Sequence, residues 1–371
     1  MLAKRISHRQ LNGQAPAKQR GAALLIALVI MTIAIGIATN IMFRQQLHTK
    51  LASNISNLEQ AYPYATALED WSRTILFRDF EESADSDNLT EPWATEIPPI
   101  PIPGGNMTGR LYDLQAKLNL NNLFPPETPI EENPEPPVQG APPPTPEELE
   151  IIKDQNRYLI AKQRVTRLME TVDPDESVGP ALNFADTVQD WIDADSDTTP
   201  GGAESDYYLS QDPGYNTANS FLVSDTELRL LKDIDSDAFT LIQPYVATLP
   251  EYAAVNVNTA SKEVIQALGF TTEAAENIVS VREENPFESM EDFLALAVVS
   301  SATQAAEDEE PAVYEQDITV TSDYFLLQGE VNIGTARLYI NSILRRKDGK
   351  VTVVSRDFSN QQIVEDQEPE E

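Results

Sequence analysis

Residues 22–43 read AALLIALVIMTIAIGIATNIMF, 22 positions without one charged side chain. As a helix this run spans roughly 33 Å at about 1.5 Å per residue, the thickness of a bilayer's hydrocarbon layer. Residues 1–21 carry Lys4, Arg5, Arg9, Lys18 and Arg20 and no acid, against only Arg44 and Lys50 just beyond the run. That asymmetry places the amino terminus in the cytoplasm and the remaining chain outside, as a single-pass protein. Past the membrane, Leu47, Leu51, Ile55, Leu58, Tyr62, Ala65, Leu68, Trp71 and Ile75 recur every three or four residues, so the helix is expected to continue and to pack on its own domain.

The whole chain has 371 residues, 60 acidic against 26 basic side chains and a net charge of −34. That length suits two or three compact units. The charge excludes nucleic acid as a partner, because phosphate binding needs clustered Lys and Arg. With no cysteine, disulfides, Cys-ligated zinc and thiol nucleophiles are excluded together. The two histidines, His8 and His48, lie before and just after the apolar run, leaving the body without a histidine base. No carboxylate spacing marks a hydrolase pair, so neither an enzyme nor a small-molecule substrate is expected.

Two proline-rich tracts, 97–103 and 125–146, read as solvated loops or linkers. Between them 109–123 looks like a strand followed by turns. Helical signals cover 147–172, 180–191, 225–232 and, interrupted by Pro244, 237–249. Alternating segments return at 324–333, 336–344 and 351–355, with Gly334 and Asp348-Gly349 as turns, which predicts an antiparallel meander. The strand near Leu111 can join it. A helical block is thus inserted into one α/β domain.

The sharpest local signal is Trp191-Ile-Asp193-Ala-Asp195-Ser-Asp197-Thr-Thr-Pro-Gly-Gly-Ala-Glu204. Counting from Asp193, carboxylates fall at positions 1, 3, 5 and 12, the ligand spacing of a calcium loop of the EF-hand kind. Thr198 stands where such a loop has glycine, and Pro200 falls at position 8, so the loop departs from the standard form. Asp190, Asp206 and the carbonyls around Thr198 and Gly201 are further oxygen donors; the competing reading is a solvated acidic turn. Asp233-Ile-Asp235-Ser-Asp237 repeats the alternation without a distal Glu and reads as a turn first, a second-ion contributor only second. Residues 256–282 resemble a helix-hairpin-helix unit with Gly269 but Thr271 at the second glycine, followed by Glu273 and Glu276. Repulsion from phosphate leaves it a structural or protein-contact role.

The join Lys18-Gln-Arg-Gly21-Ala22-Ala-Leu24 resembles a prepilin-type leader, cut by prepilin peptidase between Gly21 and Ala22 with methylation of the Ala22 amine. Ile26 stands at the fifth mature position, where most such proteins carry Glu. Together with Arg44-Gln-Gln-Leu47, Gln60-Ala-Tyr62, Glu69-Asp-Trp71, Lys117-Leu-Asn-Leu-Asn-Asn122, Asp190-Trp-Ile-Asp-Ala-Asp195, Gly202-Ala-Glu204, Asp206-Tyr-Tyr208 and Asn256-Val-Asn-Thr-Ala260, this order resembles the type II secretion minor pseudopilin K family over nearly the whole chain. The resemblance implies an α+β pseudopilin fold: a long N-terminal transmembrane helix on an antiparallel sheet, with a large inserted α-helical domain. The expected organisation is a leader at 1–21, a transmembrane helix at 22–43, the first part of the pseudopilin domain at 44–124 and a Pro-rich linker at 125–146. The inserted domain follows at 147–310, the second part of the sheet at 311–358 and an acidic tail at 359–371. It further implies a cap on a pseudopilus that exports folded periplasmic proteins, anchored in the inner membrane of a Gram-negative bacterium with its C-terminal domain in the periplasm. Calcium is implied as a cofactor, with minor pseudopilins I and J as partners that meet the helix at Leu47, Leu51, Ile55 and Leu58. The rival readings are a calcium-binding membrane-anchored adhesin or adaptor and a membrane-anchored hydrolase.

Overall fold

A computed structural model describes residues 20–126, 145–304 and 311–359, with side chains from residue 23 and none described at 146–150. Most of the expected leader, linker and acidic tail (1–19, 127–144 and 360–371), together with 305–310 of the insert, lies outside the described residues.

The apolar run and the stripe behind it form one helix, α1 (Arg20–Glu82), 63 residues long with Pro63 inside it. Gly21 and Ala22 fall in its first turn. Its amino-terminal window has a mean hydropathy of 2.5 and is uncovered by the rest of the chain, which makes it the one described helix long and apolar enough to cross a membrane. The packed part comes later: Ala61, Ala65, Leu68, Glu69, Ser72, Leu76 and Asp79 are all buried, a spacing of three and four residues that defines one helix face. This shifts the expected stripe. Tyr62 and Trp71 point away from the packed face, and Leu47, Leu51 and Ile55 are about half exposed.

That face lies on a five-stranded antiparallel sheet of β1 (Ile97–Ile102), β2 (Gly105–Asp113), β3 (Tyr324–Ile333), β4 (Ala336–Lys347) and β5 (Lys350–Asp357), in that spatial order. The predicted meander is β3–β4–β5, and β2 joins it alongside β3. Phe325, Leu327, Val331 and Ile333 alternate with half-exposed residues on β3, and Leu338, Ile340 and Leu344 do so on β4, so one sheet face buries against α1. The tract at 97–103 is a correction: it forms β1 instead of a loop. Its prolines are tolerated because β1 is an edge strand, and its pairing with β2 shifts register between Ile97 and Ile100, where Pro98 and Pro99 sit.

Between β2 and β3 the chain builds a second core from Leu118 to Val320, wider at both ends than the 147–310 block expected from pattern. Its helices are α2 (Pro146–Val172), α3 (Ala181–Ile192), α4 (Ser205–Leu209), α5 (Ser236–Ile242), α6 (Lys262–Ala267), α7 (Thr272–Glu284), α8 (Met290–Leu294) and α9 (Ala297–Thr303). The expected helices at 225–232 and 237–249 are shorter: a 3-10 turn over Asp225–Leu230, and α5, which passes through a second 3-10 turn around Pro244 into the extended pair Val246–Ala247. Two short parallel ladders, Leu118–Asn119 with Val246–Ala247 and Val255–Asn256 with Ile318–Thr319, close the base of the insert.

Candidate metal centre

The acidic loop is held between two stems that share an aromatic core. Helix α3 is buried on every side from Phe184 to Ile192, Gln189 alone being half-buried, and ends at Asp193, its C-cap; α4 begins after Glu204, its N-cap, whose side chain accepts from Ser205 N. Trp191 on the first stem packs edge-on against Tyr208 on the second, with ring centroids 5.2 Å apart. Asp190 then pins the loop from below, accepting Thr199 N at 3.1 Å, while Asp186 accepts Gly201 N at 3.1 Å. Gly202 is obligatory at this approach, because a Cβ there would stand 2.1 Å from Asp190 Oδ2.

Folded this way, Asp193, Asp195 and Glu204 bring one carboxylate oxygen each within 4.8 Å of one another. Asp193 and Glu204 are buried, and Asp193 Oδ1 and Glu204 Oε1 have no hydrogen-bond partner. A buried acceptor left unpaired is costly, and three converging carboxylates repel. Burial, then the charges of Asp195, Asp190 and Glu204, push the Asp193 carboxyl up to about 7. Burial, with Asp190 and Asp195 adding to it, raises Glu204 as well. The unpaired buried oxygens of Asp193 and Glu204, with the exposed Asp195 carboxylate beside them, suit a hard cation such as calcium.

Not every expected ligand joins them. Asp197 is exposed and lies outside the trio; its backbone N–H instead donates to Asp195 Oδ1 at 2.8 Å, a local turn. Asp206 is exposed in the first turn of α4, where a negative charge suits the helix N-terminus. Asp190 is fully buried but spends its oxygens on Thr199. The Gly201 carbonyl is no spare donor, because Lys232 Nζ reaches it at 3.4 Å and Gly202 O at 3.2 Å. The second acidic alternation resolves into a helix cap: Asp235 accepts Asp237 N and Ala238 N at the start of α5.

A second acidic group, Asp79, Asp87 and Glu91, closes on Arg346, which pairs with Asp79 at 2.8 Å and also with Asp87. Pattern reading missed the buried asparagines that hold the insert in place. Asn121 donates to Leu222 O and Leu249 O at 2.9 Å and accepts Leu222 N at 2.8 Å. Asn256 donates to Asp87 O, Asp113 Oδ2 and Ser322 Oγ, tying the insert to both β2 and the approach to β3. Alternation of these asparagines with Leu and Val reads as the outward face of a strand, whereas 118–121 and 255–258 are buried at every position.

Residues 116–251 and 255–313 each match a family model described as type II secretion system (T2SS), protein K. The type II secretion system protein K of Pseudomonas aeruginosa is 30% identical, over 92% of this chain and 93% of that one. That of Aeromonas hydrophila is 28% identical over 91% and 97%. Among solved structures, a chain in the crystal structure of the GspK-GspI-GspJ complex of enterotoxigenic Escherichia coli shares the fold, with a TM-score of 0.63 and 22% identity over 82% of this chain and 98% of that one.

Proposed function

The chain belongs to the type II secretion system protein K family, the minor pseudopilins, and on that premise we propose that it caps the tip of the pseudopilus and supports export of folded periplasmic proteins. One observation carries the reading: α1 is a single 63-residue helix, bare over its first half and built into the sheet over its second. The bare half supplies the inner-membrane anchor and, at Leu47, Leu51 and Ile55, an apolar face for bundling with partner helices, with Leu58 at the edge of the sheet's core. The insert between β2 and β3 adds a second body to the pseudopilin domain, which would obstruct a further subunit stacked above it. Ile26 fits the same role, since it lacks the carboxylate that could pair with a preceding subunit's amino terminus.

The partners in this reading are minor pseudopilins I and J, by analogy with the assembly named for the E. coli structure. Prepilin peptidase would cut between Gly21 and Ala22 and leave Ala22 for methylation, with the C-terminal domain in the periplasm. Asp193, Asp195 and Glu204 would hold calcium, whose charge would offset theirs and tie the end of α3 to the start of α4. The test is co-expression with the two smaller pseudopilins: a ternary complex recovered from detergent extracts supports the assignment. Recovery of this chain alone argues for a free-standing adhesin or adaptor.

A further inference from the structure

Helix α2 places Tyr158 and Lys162 four residues apart, hence on one face, and both reach α3 just before it runs into the acidic loop. The Tyr158 hydroxyl donates to Gln189 Oε1 at 2.5 Å, and Lys162 Nζ donates to the same oxygen at 3.1 Å. An ammonium can only donate, so the oxygen end of the Gln189 amide must face α2. Its nitrogen end is left for Asp193, one helical turn further on and the first of the three converging acids. Burial and the neighbouring acids push the Asp193 carboxyl up, and the Gln189 side chain, donating toward it, pulls it down. Burial, then the charges of Asp186, Asp193 and Asp190, push the Tyr158 hydroxyl up to about 12, so Tyr158 keeps its proton for Gln189.

Lys162 makes a second contact, an ion pair with the buried Asp186 Oδ1 at 2.5 Å, and Asp186 Oδ2 accepts Gly201 N near the far end of the loop. One ammonium on α2 thus reaches both ends of the loop, the start through Gln189 and the end through Asp186. Helix α2 is itself tied to the approach to β3, where Arg164 Nη2 donates to Asp317 Oδ2 at 2.5 Å. Groups that hold metal ligands from behind fix their direction and spare the ion the cost of ordering them. We propose that Lys162 and Gln189 are positioning residues for calcium, bracing the loop from α2 before the ion arrives and thereby raising its affinity, an inference that rests on the calcium reading above.

The test titrates the detergent-solubilised full chain with calcium chloride, read by calorimetry after removal of bound calcium with EGTA, at a temperature below the melting transition of every variant in EGTA. Gln189→Met, which keeps the volume and removes the amide, should weaken calcium roughly tenfold to a hundredfold, the usual loss when a group behind a metal ligand is removed. Lys162→Met should weaken it alike, and Lys162→Arg, which returns donors to both Gln189 and Asp186, should bind close to wild type. Lys162→Met leaves Asp186 buried and unpaired, so if that variant fails to fold, Gln189→Met decides alone. The inference is overturned if the wild type binds and either methionine variant binds as tightly, or if Lys162→Arg loses as much as Lys162→Met. A wild type that takes up no calcium overturns the calcium reading itself and this inference with it.

Discussion

Asp193 and Glu204, the first and last residues of one loop, bring carboxylate oxygens within 4.8 Å of each other, and each keeps a buried oxygen without a hydrogen-bond partner. A cation that binds only the folded loop stabilises it by mass action, about 2.7 kcal/mol at a hundredfold excess over its Kd. Chelation should therefore lower the melting temperature and expose 193–204 to proteolysis. Asp193→Ala should abolish both responses, whereas Asp197→Ala should preserve them, because Asp197 lies outside the trio. Melting curves with and without EGTA decide this. Identical curves for the wild type would reduce the loop to an acidic turn.

Leu68 of α1 fits a slot that two glycines create in the sheet. Gly109 and Gly329 face each other across β2 and β3, and Cβ atoms built on them would stand 3.2 and 2.5 Å from Leu68 Cδ2. Gly329→Ala should cost about 1–3 kcal/mol by overpacking. Adding Leu68→Ala should relieve part of that loss, a coupling read from denaturant unfolding of the double-mutant cycle. Additive losses would show that the slot does not set the helix position.

Stability should fall as pH rises from about 4 to about 7. Burial, with Asp79 and Asp87 nearby, pushes the Glu91 carboxyl up to about 7 against the hydrogen bond from Trp93 Nε1 at 2.6 Å. The unfolded value is about 4.3. Between the two values the folded state holds the proton and the unfolded state has lost it, so raising pH favours unfolding. Glu91→Gln should flatten this slope in pH-resolved melting; an unaltered slope would assign it to other groups.

The partner surface proposed on α1 makes a graded prediction. Leu51 is half exposed on the bare part of α1, whereas Leu58 is packed at the edge of the sheet's core. Leu51→Glu should leave the melting temperature of the isolated chain nearly unchanged yet reduce recovery of minor pseudopilins I and J. Leu58→Glu should lower both. Full recovery of both partners with Leu51→Glu would move the interface elsewhere.

Periodicity made the long helix and the β3–β5 meander readable, because apolar residues at spacings of three to four and of two are direct consequences of one buried face. It failed at β1, whose prolines argue against a strand in general and are permitted only by an edge position and a bulge that depend on β2. The trio of Asp193, Asp195 and Glu204 was readable from ligand spacing. That Asp197 turns outward, Asp190 pins Thr199 and Lys232 occupies the Gly201 carbonyl was not, since each depends on how the loop folds over the α3 stem and on contacts up to 31 positions away.

The claim that this chain is a cap is tested most directly by locating it on pseudopili. Immunogold labelling of an epitope fused after residue 371, on filaments from cells that also make the shaft subunits, should place label at one end only. Label distributed along the shaft, or filaments of this chain alone, would contradict the account.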